Sequence, residues 1–210
     1  MKGFSSKTRS TLQRKVRKLS KMAEHMECRL YSTPDSLVEF HALARQVAVK
    51  TYQERLFDGA IPATPEFAER MHALAEQDHL RGFILFVKGR PISYLYLPIY
   101  NDTLSYGYLG YDPDFADWSP GTVLLYLALE KVFSEGRFRY FDFTQGMGQT
   151  KELFGRASFQ QADIYFFRWS LRNAIAVYGH AAMDWCSSSI GRMLDIVGLR
   201  RWLRKLLRRS

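Results

Sequence analysis

The chain has 210 residues, 47% of them apolar and 15% aromatic, which is ample for a packed core and excludes a disordered polymer. It holds no uninterrupted apolar run of about 18 residues and no apolar stretch of a secretory signal at its start, so the sequence predicts a cytoplasmic protein without a membrane span. The net charge of +9 is concentrated at the two ends: eight bases and no acid lie in residues 1–21, and six bases and no acid in residues 199–210. With those fourteen set aside from the thirty, sixteen bases face twenty-one acids, so a mildly acidic body sits between basic ends.

In chain order, Leu12, Val16, Leu19 and Met22 recur at helical spacing with Lys and Arg between them, which predicts a basic amphipathic helix. Cys28–Ser32 suits an edge strand. Thr33-Pro34-Asp35 supplies a cap and a proline that open a helix with the stripe Leu37, Phe40, Leu43, Ala44 and Val47. Gly59 and Pro62 make Tyr52–Pro62 a loop, and Thr64-Pro65 opens a second helix to about Gln77. The period then changes to that of strands: Phe83–Val87, a turn at Lys88-Gly89-Arg90, Pro91–Leu97, a turn at Asn101-Asp102, and Thr103–Leu109. Ser119-Pro120-Gly121 starts a helix through Val123–Leu129 that ends near Gly136, and Phe138–Phe143 is a short aromatic strand, so a crossover joining parallel strands is expected. A short helix around Gln149–Phe154 and a strand over Gln160–Arg168 follow. From there to Leu207 the pattern is helical, interrupted at Gly179, Gly191 and Gly198.

Two passages carry candidate chemistry. The start of the helix at Ser119-Pro120-Gly121 displays unpaired amide hydrogens and a positive dipole end, which attract phosphate, and Gly121 lets backbone come close to a pyrophosphate. A simple capped helix explains the same residues. Asp142-Phe-Thr-Gln-Gly146 with Lys151 places polar groups directly after a strand. There Asp142 can orient an amine or take its proton, and Lys151 can bind a carbonyl, a phosphate or an oxyanion. A pairing of Asp142 and Lys151 with each other or with backbone is the alternative.

Taken together, four stretches resemble the FemAB-like branch of the GNAT superfamily, especially its cellulose-biosynthesis (CelD-type) acetyltransferase relatives: Ser6–Lys15, Lys50-Thr-Tyr-Gln53, Gly110-Tyr-Asp-Pro113 through Gly121, and Asp142–Gly146 with Lys151. The resemblance spans roughly residues 6 to 168. It implies an α/β GNAT fold, a mixed, mostly antiparallel sheet of about six or seven strands flanked by helices, in which the strands at Thr103–Leu109 and Phe138–Phe143 splay apart. It divides the chain into a basic helix at 1–23, an acyltransferase domain at 24–170 and a helical segment at 171–210 with a basic amphipathic end.

The activity implied is N-acyl transfer, with acetyl as the expected group, from acetyl-CoA or another acyl thioester to an amine acceptor in envelope, polysaccharide or lipid metabolism, without a metal. The thioester arm would bond Leu109, Gly110 and Tyr111, with its phosphates at Ser119, Pro120, Gly121, Thr122 and Val123. Asp142, Lys151 and Tyr108 would be catalytic, and Tyr52, Gln53, Thr144, Gln145 and Gly146 would meet the acceptor. Two departures stand out. The family's phosphate-loop signature has Trp118 and Val123 at its outer positions, and the chain has length for one GNAT-like half, so that the acceptor site is open to completion by a partner or a homodimer. An aminoacyl-tRNA-dependent transferase and a non-catalytic membrane-associated binding module are the alternatives.

Tyr94, Tyr96, Tyr100, Tyr106, Tyr108 and Tyr111 line an acceptor groove or pack the sheet. The histidines at 25, 41, 72, 79 and 180 show no ligand spacing, and Cys28 and Cys186 read as unpaired thiols. The basic ends suit an anionic membrane surface at the inner face of the membrane, a tRNA, or an acidic acyl carrier protein. Leu199, Trp202, Leu203, Leu206 and Leu207 interleave with bases as in an interfacial helix.

Overall fold

A computed structural model describes residues 6–51, 59–145, 148–155, 157–158, 164 and 166–196. The chain forms two compact units, Met1–Ala157 and Ser158–Ser210.

The first unit opens with α1 (Ser6–Ala23), β1 (Met26–Tyr31), α2 (Pro34–Ala48) and α3 (Pro65–Glu76). Strands β2 (Leu80–Val87), β3 (Arg90–Tyr100), β4 (Thr103–Ser105) and β5 (Tyr108–Tyr111) follow, then a 3₁₀ turn (Pro113–Trp118), α4 (Pro120–Ser134), β6 (Tyr140–Asp142) and α5 (Gln149–Phe154). Local chemistry sets the boundaries. Thr33 accepts from the Ser36 amide at the start of α2 and Thr64 from that of Phe67 at the start of α3, each followed by a proline at the first helical position. Lys88 and Gly89 both have positive φ, the geometry of a two-residue hairpin turn between β2 and β3.

The six strands form one mixed sheet in the order β1-β2-β3-β4-β6, with β5 also on β3. All pairs are antiparallel except β4 with β6, which the α4 crossover makes parallel. The sheet divides two cores. Leu12, Phe83, Leu95, Leu97, Leu104 and Leu125 lie in the one shared with α1 and α4, and Phe40, Val47, Met71, Ile84, Tyr94 and Tyr96 in the one shared with α2 and α3.

Three elements differ from the sequence expectation. Strand β2 begins at Leu80, three residues earlier than its apolar run, because Arg81 is neutralised where it is buried: it pairs with Asp78 at 2.5 Å and Glu135 at 3.1 Å. The expected strand Thr103–Leu109 is broken between Ser105 and Tyr108. The strand expected over Gln160–Arg168 is absent from those of its residues that are described, 164 and 166–168.

In the second unit, α6 runs unbroken over Leu171–Ile196, straight through Gly179 and Gly191. Ser170 caps its start by accepting from the Asn173 amide at 3.1 Å.

Candidate active site

The candidate site lies at the break between β4 and β5. Gly107 donates to the Tyr96 carbonyl at 3.1 Å, and Tyr108 is already the register partner of Tyr96, so two residues oppose one in a β-bulge. A Cβ at Gly107 would lie 2.7 Å from the Tyr96 ring and 2.9 Å from its carbonyl oxygen, which explains glycine here. The extra residue changes the side-chain alternation: Leu104 and Tyr106 pack with the α1/α4 core, whereas Tyr108 packs on the α2/α3 side.

On its other edge β4 pairs with β6 only as far as Ser105 opposite Asp142, with a last bond from the Tyr106 amide to the Asp142 carbonyl at 2.8 Å. Beyond that rung β5 follows β3, and among the described residues it has no strand on its far side. The bond from the Asp112 amide to the Ile92 carbonyl fixes the phase of the β3–β5 ladder, so the main-chain groups of Tyr108 and Gly110 face β3. Those of Leu109 and Tyr111 therefore point away from β3, to the side on which β6 has parted from the sheet. Gly110 supplies room of another kind: a Cβ there would come within 2.4 Å of the fully buried Tyr94 ring. The Tyr94 hydroxyl in turn accepts from the Ile61 amide at 3.3 Å.

The chain then turns tightly into α4. Asp112, 1% exposed, accepts from Lys50 Nζ at 3.0 Å, from Arg90 and from the Asp114 amide at 3.1 Å, and so caps the 3₁₀ turn. Burial opposes its charge, but these donors outweigh burial and hold the carboxyl below its ordinary value of 3.8. Lys50 and the Gly110–Pro113 stretch, more than fifty residues apart in sequence, thereby meet at one carboxylate. Residue spacing gave no sign of this pair.

Ser119, in the left-handed region at φ 54°, leads into α4 without a side-chain cap. Its hydroxyl instead accepts from Lys15 Nζ of α1 at 2.8 Å, and Lys18 Nζ donates to the Asp117 carbonyl at 3.1 Å. Of the four residues 120–123, Pro120 has no amide hydrogen and Val123 donates to the Ser119 carbonyl at 3.1 Å. Gly121 and Thr122 remain as the helix-start amides outside the α4 ladder. Gly121 is packed rather than open, since a Cβ would meet Leu109 Cδ2 at 2.8 Å.

Asp142 and Lys151 are brought to one turn, each bonded to its backbone. Asp142 accepts from the Thr144 amide at 2.7 Å, while Lys151 Nζ donates to the Thr144 carbonyl at 3.2 Å and to that of Gln145. Thr144 has φ +59°, so both side chains brace a strained corner just past β6. Tyr108 stands two residues beyond the last β4–β6 rung, with its ring 5.8 Å from those of Tyr96 and Phe67. Burial pushes the Tyr96 phenol up to about 12 and the Cys28 thiol up to about 11, which leaves both uncharged at neutral pH. Tyr52, Gln53 and Gly146 lie outside the described residues.

A profile of the acetyltransferase (GNAT) domain family matches residues 6–152, and the chain belongs to that family. It is thus an acyltransferase of the GNAT fold. No curated protein matches the chain. Among solved structures, an aminoglycoside acetyltransferase from an uncultured soil metagenomic sample, in complex with trehalose, is similar at 15% identity and a TM-score of 0.48, covering 69% of this chain and 97% of its own. The aminoglycoside N-acetyltransferase AAC(6')-Iy in complex with CoA is similar at 17% identity and 0.48, covering 69% and 96%. The ribosomal-protein-S18-alanine N-acetyltransferase from Escherichia coli is similar at 15% identity and 0.39, covering 54% and 63%.

Proposed function

We propose that the protein transfers an acyl group, acetyl in the simplest case, from a CoA-type thioester to an amine acceptor at the parting of β5 from β6. The observation that carries this reading is the parting itself: the Gly107 bulge turns the main chain of Leu109 and Tyr111 to an edge without a described strand, beside the start of α4. An extended pantetheine arm has amides that can bond such an edge as a strand would.

In this reading Leu109 and Tyr111 hold the arm, and Gly121 and Thr122 offer their amide hydrogens to the diphosphate. Lys15 and Lys18, carried on α1, add the positive charge that Trp118 and Val123 do not bring to the loop. The uncharged amine attacks the thioester carbonyl carbon, its C–S bond breaks, and the acyl group leaves on nitrogen. Asp142 takes the amine's proton through water, and Tyr108 donates one to the departing sulfur. Lys151 keeps the Thr144–Gln145 corner in place against the acceptor. Holding both partners at the fork supplies much of the rate.

The acceptor side is assigned to Tyr52, Gln53, Thr144, Gln145 and Gly146, with an acceptor from envelope, polysaccharide or lipid metabolism. This finer assignment rests on the FemAB-like resemblance of Lys50–Gln53 and Asp142–Lys151. Acyl carrier protein as donor is the second form of the same chemistry, favoured by the basic face of α1.

The test is single-turnover acyl transfer from acetyl-CoA with a panel of amines, together with CoA binding by calorimetry. Asp142→Ala and Lys151→Ala should abolish transfer, and Tyr108→Phe should lower kcat about a hundredfold with little change in KM. Full activity in all three variants, or no binding of any acyl thioester, would sink the assignment.

A further inference from the structure

Helix α1 carries seven bases and no acid. Its apolar side is already covered, since Leu12 and Leu19 are 1% and 0% exposed in the core that α4 shares. At about 100° per residue, Lys7, Arg14, Lys18 and Lys21 fall within about 60° of one another on the opposite side, with Arg17 beside them, and all five are exposed. At about 1.5 Å per residue the row from Lys7 to Lys21 is about 21 Å long. Among the described residues none of the five is paired with a carboxylate, so the fold itself leaves this charge uncompensated. The row also reaches the candidate site. Lys18 Nζ donates to the Asp117 carbonyl at 3.1 Å, and Lys15 Nζ, on the flank of the row, donates to the Ser119 hydroxyl at 2.8 Å, at the turn before the Gly121 and Thr122 amides.

We infer that the basic row of α1 docks the acidic protein that carries the thioester, an acyl carrier protein whose phosphopantetheine arm enters the parting of β5 from β6. This rests on the thioester-donor reading of that site and adds to it the carrier and the face on which the carrier sits. Three observations choose the occupant. The row starts beside the amides assigned to the donor's phosphate and runs on along α1; the phosphates of CoA lie within one nucleotide of each other and can meet only the Lys15–Lys18 part, whereas the acidic surface of a carrier matches the whole row. With Leu12 and Leu19 buried, α1 has no apolar side to insert into a bilayer. A nucleic acid would run past α1 onto a body in which sixteen bases face twenty-one acids, while a small carrier need touch the helix alone. Transfer balances as it does from CoA: the amine nitrogen bonds the acyl carbon, the C–S bond breaks, and the thiol, with a proton in place of the acyl group, stays on the carrier's arm.

The test compares acetyl-CoA with a purified acyl carrier protein loaded with acetyl, each given to the full chain with the same amine at low salt. The carrier should be the better donor, with kcat/KM at least about tenfold above that of acetyl-CoA, and about 0.5 M salt should remove most of the advantage. The triple variant Lys7→Glu, Arg14→Glu and Lys21→Glu leaves Lys15 and Lys18 in place. It should lower kcat/KM at least about thirtyfold with the carrier and less than about threefold with acetyl-CoA, while circular dichroism shows the helix content unchanged. An equal fall with both donors, or a carrier that donates no better than acetyl-CoA, overturns the docking inference and leaves the thioester reading standing. Transfer from neither donor overturns both. Transfer RNA that binds more tightly than the carrier and is released by the triple variant also overturns the inference, because a nucleic acid would then be the occupant.

Discussion

Helix α1 carries seven bases and no acid beside a one-sided apolar stripe, whereas helix α6 carries two bases, two acids and apolar residues around its circumference, and the two end in opposite states. The side of α1 that carries Leu12 and Leu19 closes the core against α4, and its charged side reaches the turn before α4 through Lys15 and Lys18. Helix α6 keeps Leu171, Ile175, Tyr178 and Trp185 in solvent. A one-sided apolar stripe such as that of α1 therefore states that a face must be covered and leaves open by what. For α1 the covering surface is part of the same unit, so its lysines reach Ser119 and the Asp117 carbonyl at the turn before α4. A bilayer is excluded as the partner of a face already buried.

The contrast can be broken first by removing the buried anchor. Leu19→Ala should cost about 3 kcal/mol of stability in the first unit, as truncation of a fully buried leucine does, whereas Trp185→Ala should change it by less than about 0.5 kcal/mol. Denaturant midpoints measure both, and equal effects would erase the distinction drawn between the helices. The turn on which α1 lands offers the next test. Asp112→Asn should remove about 2 kcal/mol at neutral pH by stripping Lys50 and Arg90 of their shared carboxylate. Because the folded carboxyl lies below its ordinary value, its contribution is complete above the carboxylate range and is lost as pH falls through the folded value. Acid unfolding of the variant should accordingly be less steep than that of the wild type. The smallest effect belongs to Lys15→Ala, which should raise KM for acetyl-CoA three- to tenfold, about 1 kcal/mol, with kcat and the unfolding midpoint nearly unchanged. An unaltered KM would confine α1 to packing.

Much of the fold was legible because its signals are local. Proline after threonine marked the starts of α2 and α3, the glycine at 89 marked the β2–β3 hairpin, and Phe83–Val87 announced the first strand of that hairpin. The candidate site was proposed from an order of stretches along the chain. What escaped was the break at Gly107, since Thr103–Leu109 has unbroken strand composition and only the crowding of Tyr96 demands a glycine there. The pairing of Lys50 with Asp112 escaped as well, because charge partners 62 residues apart leave no periodic trace. Asp142 and Lys151 were singled out by type, but their shared attachment to the Thr144–Gln145 corner required the backbone positions of that corner.

By itself the sequence determined most of the elements and the two basic ends, which follow from residue type at short spacing, and the order of four stretches along the chain resembled the GNAT superfamily. Tertiary structure alone decided where β5 leaves β6, which helix-start amides stay outside the α4 ladder, and that the apolar side of the basic helix α1 is buried against α4. Those depend on surfaces meeting across long sequence separations, and whether an apolar face is buried is a property of its neighbour as much as of its own residues.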